Sequence, residues 1–297
     1  MLQVFENSCN PGFVKMGFLL GKDRLFNYLK LFGFGQKTDI DLSGEGKGII
    51  FDVSDVNDLE LATTAFGQGV SVTPIQQVTA VSSIVNGGNL YKPYIMKSIL
   101  DSKTNNIYLE HEKEFVKKTI SKSTSETLKM ALESVVASGG GKVTYIDGYR
   151  VGGKTGTAQK VENGRYLENN YIMSFMAVLP SNDPKIVLYL AIDNPKKTAL
   201  LSSYTTTPFV RKILLDIINI MNIPKQSNQK EKDYEWMDKK YYKVPNVVGM
   251  TKKEAKNTLI DFEPYFVGDG DVVVEQSPKA GSRYYETGTI KLLLGNR

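Results

Sequence analysis

Three strand-like runs followed by a helical pattern form the feature that most constrains this fold. The first two runs, 154–161 and 171–179, flank Asn163-Gly164. Asn-Gly between such runs predicts a β-hairpin, because both residues tolerate positive φ. The third run, 186–192, is continuously apolar, as a central strand is. The helical pattern that starts at Thr207 has one apolar face, so we expect an antiparallel sheet with a helix packed on it.

Apolar residues at helical spacing precede the strand-like runs. They predict a helix within 11–33 that a glycine cluster ends, a second helix over 74–86 with Thr73 as N-cap, and a third over 123–136. This order of elements, helices followed by an antiparallel sheet and a flanking helix, predicts an α+β fold for residues 1–222.

The composition changes after this region. Residues 223–243 are rich in Lys, Glu, Asp, Gln and Asn, which predicts a linker. Residues 244–296 form a separate pattern, in which Thr251 and Glu254 make a capping box at the start of a helix. Strands are expected at 272–274 and 290–294. A second, small domain is therefore predicted at the carboxy-terminal end.

Charge and residue counts exclude several classes of function. The 37 basic and 32 acidic residues give a net charge of +5, a mild excess that does not argue for a nucleic-acid partner. One cysteine, Cys9, and one histidine, His111, exclude an internal disulfide and make a His/Cys metal site improbable. We expect no metal and no cofactor. His111 lies in a charged, loop-like stretch, which argues against a Ser-His-Asp triad.

The sequence gives no sign of a membrane anchor or export signal. No apolar run reaches the ~18 residues that cross a bilayer. Residues 1–7 lack a basic segment followed by an apolar one. We therefore expect that this chain carries neither an anchor nor a signal peptide.

Two short motifs are candidates for chemistry, Ser8-Cys9-Asn10 before a helix and Lys154-Thr155-Gly156-Thr157 on a strand. A lysine beside a serine hydroxyl supplies positive charge that attracts a substrate carboxylate and tunes nearby proton carriers. Each motif alone is also common in ordinary loops and turns. Their joint occurrence, with Gly152-Gly153 before the lysine and a hairpin after it, favours the chemical interpretation.

Neighbouring residues have matching physical roles in that interpretation. The hydroxyl of Thr155 can bond a substrate carboxylate, and Gly156 lets an extended peptide lie close to the strand. The backbone N–H of Thr157 can serve as an oxyanion donor, and Asn10 can bond a substrate amide. Together the two motifs predict a serine acyl-transfer site.

Ordered landmarks along residues 1–222 resemble those of penicillin-binding transpeptidases, most closely class B proteins of the division and spore-cortex types. The landmarks are Ser8-Cys9-Asn10-Pro11-Gly12-Phe13, Phe66-Gly67-Gln68-Gly69, Thr73-Pro74-Ile75-Gln76, Asn86-Gly87-Gly88 and Gly152-Gly153-Lys154-Thr155-Gly156-Thr157-Ala158. The resemblance implies the transpeptidase fold, a helical subdomain plus an antiparallel sheet with flanking helices.

The same resemblance implies a function and partners. It implies a D,D-transpeptidase that acts on the D-Ala-D-Ala end of peptidoglycan stem peptides and is acylated by β-lactams. Ser8, Asn10, Lys154, Thr155 and Gly156 would then be catalytic, with Thr155, Thr157 and Asn10 binding substrate. The full-length protein would lie at the extracytoplasmic face of the membrane, beside a glycosyltransferase partner.

The carboxy-terminal pattern resembles a PASTA domain, a small α/β module of wall synthases and receptor kinases. The resemblance implies peptidoglycan or β-lactam binding, although a spacer without ligand affinity fits equally well. Its residues are Val244-Pro245-Asn246-Val247-Val248-Gly249-Met250, Glu254-Ala255, Gln276-Ser277-Pro278-Lys279-Ala280-Gly281 and Gly288-Thr289.

The sequence departs from the family at the nucleophile. The family places a Ser-x-x-Lys motif before Ser-x-Asn, but only seven residues precede Ser8. The one Ser-x-x-Lys here, Ser227-Asn228-Gln229-Lys230, lies in the predicted linker. We interpret it as coincidence, since a mobile linker cannot hold a nucleophile beside its base. We therefore expect an incomplete transpeptidase domain that is inactive alone, and a Cys9 thiol packed away from the site.

Three other interpretations stay open. One is a hydrolase of the same superfamily, a carboxypeptidase or β-lactamase. The second is a non-catalytic peptidoglycan-binding module, and the third is a scaffold that docks on another wall synthase. Turnover of a β-lactam, rather than stable acylation, would favour the hydrolase.

Overall fold

The chain forms two compact units, residues 1–232 and residues 233–297. Both short motifs lie in the first unit, and the PASTA-like sequence lies in the second. The computed structural model describes residues 1–162, 164–196, 202–232, 241–285 and 288–296.

Helices occupy mainly the first unit. In chain order they are α1 (Leu2–Glu6), α2 (Asn10–Leu20), α3 (Lys22–Leu31), α4 (Asp58–Ala65), α5 (Pro74–Val85), α6 (Lys122–Ser138), α7 (Ser202–Thr205), α8 (Thr207–Ile220) and α9 (Lys252–Thr258).

Strands form pairs and two three-stranded sheets. In chain order they are β1 (Asn89–Tyr91), β2 (Ser98–Leu100), β3 (Ile107–Glu110), β4 (Phe115–Lys118), β5 (Gly152–Glu162), β6 (Arg165–Leu179), β7 (Ile186–Asp193), β8 (Tyr241–Lys243), β9 (Glu263–Val267), β10 (Val272–Ser277), β11 (Arg283–Tyr285) and β12 (Thr289–Gly295). Strands β1 with β4 and β2 with β3 form antiparallel pairs.

The main sheet of the first unit has the antiparallel order β5-β6-β7. The predicted hairpin is confirmed, since Glu162 pairs with Arg165 across the turn. One part of the prediction is wrong. Strand β7 was expected to be central because its sequence is apolar, but it ends the strand order of the described residues. None of its residues is fully buried, and Ala191 and Asp193 are exposed, which fits that position.

Helices cover both faces of the main sheet. Successive residues of a strand point to opposite faces, so β6 contributes to two cores. Phe175 and Leu179 pack with Leu214 of α8 on one face, whereas Val178 packs with Leu132 of α6 on the other. The sheet is thereby held between two helical layers, which fixes the position of the strand that carries the lysine motif.

Helix α6 links the two halves of the candidate site. It packs against both β5 and α1. Its N-cap, Ser121, accepts a hydrogen bond from the Thr124 backbone, and Gly139 ends it. The prediction of a helix over 123–136 that stops at the glycine run is therefore confirmed.

The amino-terminal helical region differs from its prediction. The pattern over 11–33 gives two helices, α2 and α3, because Gly21 between them has a φ of 81°. Phe26 of α3 is fully buried with Leu61 of α4. Helix α5 begins at Pro74 with Thr73 as its N-cap, as predicted.

The second unit contains a three-stranded sheet, the antiparallel pair β8 and β11, and one helix. Strand β12 lies between β10, its antiparallel neighbour, and β9, its parallel neighbour. Helix α9 starts with the predicted Thr251–Glu254 capping box. Ala255 and Leu259 share a core with Ile290 and other apolar residues of the sheet.

The boundary between the units falls inside the predicted linker of 223–243. Residues 226–230 belong to the first unit and are hydrogen-bonded to the rest of it through Gln226, Gln229 and Lys230. Residues 233–240 of the predicted linker lie outside the described residues. Across the described ranges, no helix combines the length and apolar character of a membrane span.

Candidate active site

Ser8 lies in a two-helix corner at the start of the chain. Helix α1 ends at Glu6, and α2 begins at Asn10 with Pro11 in its first turn. The Cys9 backbone N–H donates to the Val4 carbonyl, which folds the corner tightly. Ser8 itself has a φ of 51°, a left-handed conformation that costs a residue of this type about 1–3 kcal/mol.

Lys154 of β5 reaches this corner. Its Nζ donates a hydrogen bond to the Ser8 hydroxyl and another, of 3.2 Å, to the Thr155 carbonyl. The ammonium also lies 5.8 Å from the centre of the Phe5 ring, within the range of a cation–π contact. The structure therefore brings together the two motifs that the sequence separates by 146 positions.

Burial changes the charge state of the lysine. Removal from water disfavours the ammonium form, and burial lowers the pKa of Lys154 from 10.5 to about 8. A group with this pKa exchanges its proton near neutral pH, whereas an ordinary lysine does not. Lys154 can therefore act both as a charge and as a proton carrier.

Thr155 completes the contact between the motifs. Its Oγ1 lies 3.5 Å from the Ser8 hydroxyl, so three polar groups from two distant segments meet at one place. Gly156 pairs with Ser174 and Thr157 with Met173 across the β5–β6 ladder. The Asn10 side chain is exposed at the first turn of α2. The substrate contacts assigned to Asn10, Gly156 and Thr157 stay predictions.

Two groups near the site were missed by the sequence interpretation. Phe5 supplies an aromatic face to Lys154, and Glu6 buries its carboxylate beneath the corner, where Ser134 of α6 donates to it. Neither residue belongs to a recognisable motif. Their positions three and two residues before Ser8 were the one sequence feature that could have placed them near the site.

The remaining candidates lie elsewhere or differ from expectation. Cys9 is exposed rather than packed away. His111 contacts Tyr94 and lies 3.7 Å from Asp41, so its partners are not those of Ser8. Among the described residues, no cluster of three His, Cys, Asp or Glu side chains could hold a metal ion.

Family models match both units. Residues 1–215 match the penicillin binding protein transpeptidase domain. Residues 242–296 match the PASTA domain. The first match contains Ser8, Lys154 and Thr155. The second contains the sheet of β9, β10 and β12.

Known relatives agree with these matches. Stage V sporulation protein D of Bacillus subtilis is 50% identical over 293 residues, 99% of this chain and 45% of that protein. An FtsI homolog, a peptidoglycan D,D-transpeptidase of Mesostigma viride, is 34% identical over 238 residues, 74% of this chain and 40% of that protein. The chain thus spans less than half the length of these relatives.

Solved structures share the fold. Penicillin binding protein 3 of Mycobacterium tuberculosis complexed with ampicillin has a TM-score of 0.71 at 26% identity, over 77% of this chain and 52% of that one. Penicillin binding protein 2X of Streptococcus thermophilus has a TM-score of 0.64 at 24% identity, over 99% of this chain and 44% of that one. The α+β fold expected from the sequence is confirmed. The chain belongs to the penicillin-binding protein transpeptidase family and ends in a PASTA domain.

Proposed function

We propose that residues 1–232 carry the Ser-x-Asn and Lys-Thr-Gly side of a D,D-transpeptidase site that cross-links peptidoglycan stem peptides. The observation that carries this proposal is the meeting of Ser8, Lys154 and Thr155 at one corner. A part-buried ammonium beside two hydroxyls suits a substrate that ends in a carboxylate, as D-Ala-D-Ala does.

Each group has a step in the proposed reaction. The Lys154 ammonium and the Thr155 hydroxyl hold the terminal carboxylate of the stem peptide. The Ser8 hydroxyl gives its proton to the leaving D-Ala amine and takes a replacement from the Lys154 ammonium that donates to it. The Thr157 N–H stabilises the oxyanion, an interaction worth roughly 3–4 kcal/mol in other acyl-transfer enzymes.

The acylated serine belongs, in this proposal, to a Ser-x-x-Lys segment outside residues 1–297. Ser227 and Lys230 are the only such pair in this chain. Lys230 is engaged with Ser134 and Glu133 of α6, and Ser227 is exposed. The chain alone is then inactive. The whole protein works at the extracytoplasmic face of the membrane beside a glycosyltransferase, and β-lactams acylate it.

A fusion protein tests the proposal. It places the region of Bacillus subtilis stage V sporulation protein D that precedes its match to this chain in front of residue 1. Incubation with a fluorescent penicillin should label the fusion covalently and leave the 297-residue chain unlabelled. Lys154→Ala in the fusion should abolish rapid labelling, whereas Lys212→Ala, on the exposed face of α8, should not.

The outcomes separate the alternatives. Stable labelling that depends on Lys154 supports a transpeptidase. Release of the label with turnover would favour a hydrolase. A fusion that folds but takes no label, even with Lys154 intact, would refute the proposed site and favour a binding or scaffold function.

A further inference from the structure

A short segment beyond the matched transpeptidase residues is anchored on the first unit. The Gln229 amide nitrogen donates to the carbonyls of Ile146 and Tyr149, at 2.9 and 2.6 Å. Its amide oxygen accepts from the Gly148 backbone at 2.8 Å. The Gln226 backbone N–H donates to the Gly148 carbonyl at 2.8 Å. Four hydrogen bonds thus fix the position of residues 226–229 against the chain before β5.

The next residue, Lys230, is fixed by its main chain as well. Its backbone N–H donates to the Glu133 carboxylate at 3.2 Å. Its carbonyl accepts from the Tyr145 hydroxyl at 3.2 Å. These two contacts fix the main chain of Lys230, and although the residue is largely exposed, its side chain reaches a defined partner on α6.

That partner leads to the candidate site. Lys230 Nζ donates to the hydroxyl of Ser134, and the Ser134 hydroxyl donates to the Glu6 carboxylate. Ser134 is 1% exposed and Glu6 is 8% exposed. The Ser134 hydroxyl therefore accepts from the ammonium and donates to the carboxylate, and so links the two charged groups. Because a buried carboxylate is unfavourable without compensating charge, the ammonium of Lys230 stabilises Glu6 where it lies.

Glu6 is clamped through its main chain too. Its carbonyl accepts from the Gly140 N–H at 3.0 Å. A Cβ at Gly139 would come within 2.4 Å of that carbonyl oxygen, so α6 approaches Glu6 as closely as glycine allows. Two residues later, Ser8 adopts its left-handed conformation, which persists only where neighbouring residues are held.

We propose that Lys230, acting through Ser134 and Glu6, is a positioning residue that holds the Ser8 hydroxyl against Lys154. The proposal rests on the transpeptidase function proposed above, and it extends the functional unit past residue 215 to the segment that precedes the PASTA domain in sequence. The composition of this segment predicted a linker. Its contacts instead place it against the helix that supports the site.

Hydrogen exchange on the 297-residue chain tests the structural half without any activity. In Lys230→Met, amides of residues 2–12 should exchange faster than in the unaltered chain. Lys230→Arg, which keeps a donor and a charge, should restore most of the protection. The control, Lys212→Met, removes an exposed lysine of α8 and should leave these amides unchanged. Equal exchange in Lys230→Met and Lys212→Met would overturn the proposal.

Acylation of the fusion protein tests the functional half. Lys230→Met should lower the second-order rate of penicillin labelling by roughly tenfold, since a displaced catalytic group costs up to about a hundredfold. Lys230→Arg should recover most of the rate, and the thermal midpoint should change little. An unchanged rate, or a loss of rate matched by a loss of thermal stability, would overturn the proposal. An unlabelled parent fusion would instead refute the proposed function, and hydrogen exchange would still decide the role of Lys230.

Discussion

The Lys154 ammonium donates to the Ser8 hydroxyl across 146 residues of sequence, from the first strand of the main sheet to the first helical corner of the chain. The contact depends on α6, which packs on both β5 and α1. Burial at this contact lowers the pKa of Lys154 to about 8. The relationship joins fold and chemistry, because the position that brings Lys154 to Ser8 also takes the lysine out of water.

The lowered pKa predicts how acylation depends on pH. If the charged ammonium attracts the β-lactam carboxylate, the second-order labelling rate of the fusion should fall as pH rises through about 8. Lys154→Arg, whose guanidinium stays protonated up to about pH 12, should show no such fall over the same interval, whatever its absolute rate. A labelling rate that instead rises through pH 8 would contradict the assignment and identify the neutral amine as a base.

Gly153 gives a second prediction, because the strand before Lys154 has no room for a side chain. A Cβ there would lie 2.4 Å from the Phe175 ring and 2.7 Å from the Met176 carbonyl. Gly153→Ala should therefore destabilise the first unit by about 1–3 kcal/mol, as overpacking does. The measurement is urea unfolding of the 297-residue chain. Gly46→Ala, whose nearest contact would be 3.7 Å, should change stability by less than about 0.5 kcal/mol. Equal effects of the two would contradict the packing argument.

Local chemistry made part of this fold predictable. The Thr251–Glu254 capping box and the hairpin of β5 and β6 depend on neighbours in sequence, and the structure contains both. The apolar spacing over 11–33 predicted one helix, because it continues past Gly21. The structure has two helices there, since Gly21 takes a positive φ.

The site was predictable only in outline. Ser8 and Lys154 were placed together through the ordered landmarks, since their contact leaves no local periodic signal. The buried carboxylate of Glu6 and the anchoring of Lys230 were not predictable, because polar residues are normally exposed. Burial of a polar side chain is decided by distant partners, here Ser134 and the glycine run after α6.

A third prediction concerns the ion pair of Glu133 and Arg150. Arg150 donates from Nε and Nη2 to the carboxylate at 2.6–3.0 Å, and Ser181 adds a bond of 2.9 Å. Arg150→Met leaves a buried carboxylate without its partner and should cost roughly 3–5 kcal/mol of unfolding free energy at neutral pH. The control, Lys160→Met, breaks an exposed pair with Asp193 and should cost less than about 1 kcal/mol.

The same pair has a defined pH dependence. Burial raises the pKa of Glu133, but hydrogen bonds from Arg150, the Lys230 backbone and Ser181 outweigh it and hold the pKa below the ordinary 4.5. The stability from the pair is therefore complete above 4.5 and is lost as pH falls through the lower, folded-state value. The difference between Arg150→Met and the unaltered chain should shrink in acid. A constant difference down to the acid transition would show that packing, not charge, dominates.

Gln276 gives the last prediction, in the PASTA unit. This buried amide accepts from the Val247 N–H at 2.8 Å and donates to the carbonyls of Pro245 and Pro278 at 3.0 and 3.2 Å. Gln276→Leu has a similar volume but leaves the Val247 N–H unpaired, so the unit should lose roughly 1–3 kcal/mol. Hydrogen exchange in the full chain should then accelerate at residues 244–250 and stay unchanged around Lys154. The exposed Glu275 beside it provides the control, since Glu275→Leu should leave residues 244–250 protected. Protection that survives Gln276→Leu would mean that the apolar core around Leu259 and Ile290 holds this segment without the amide.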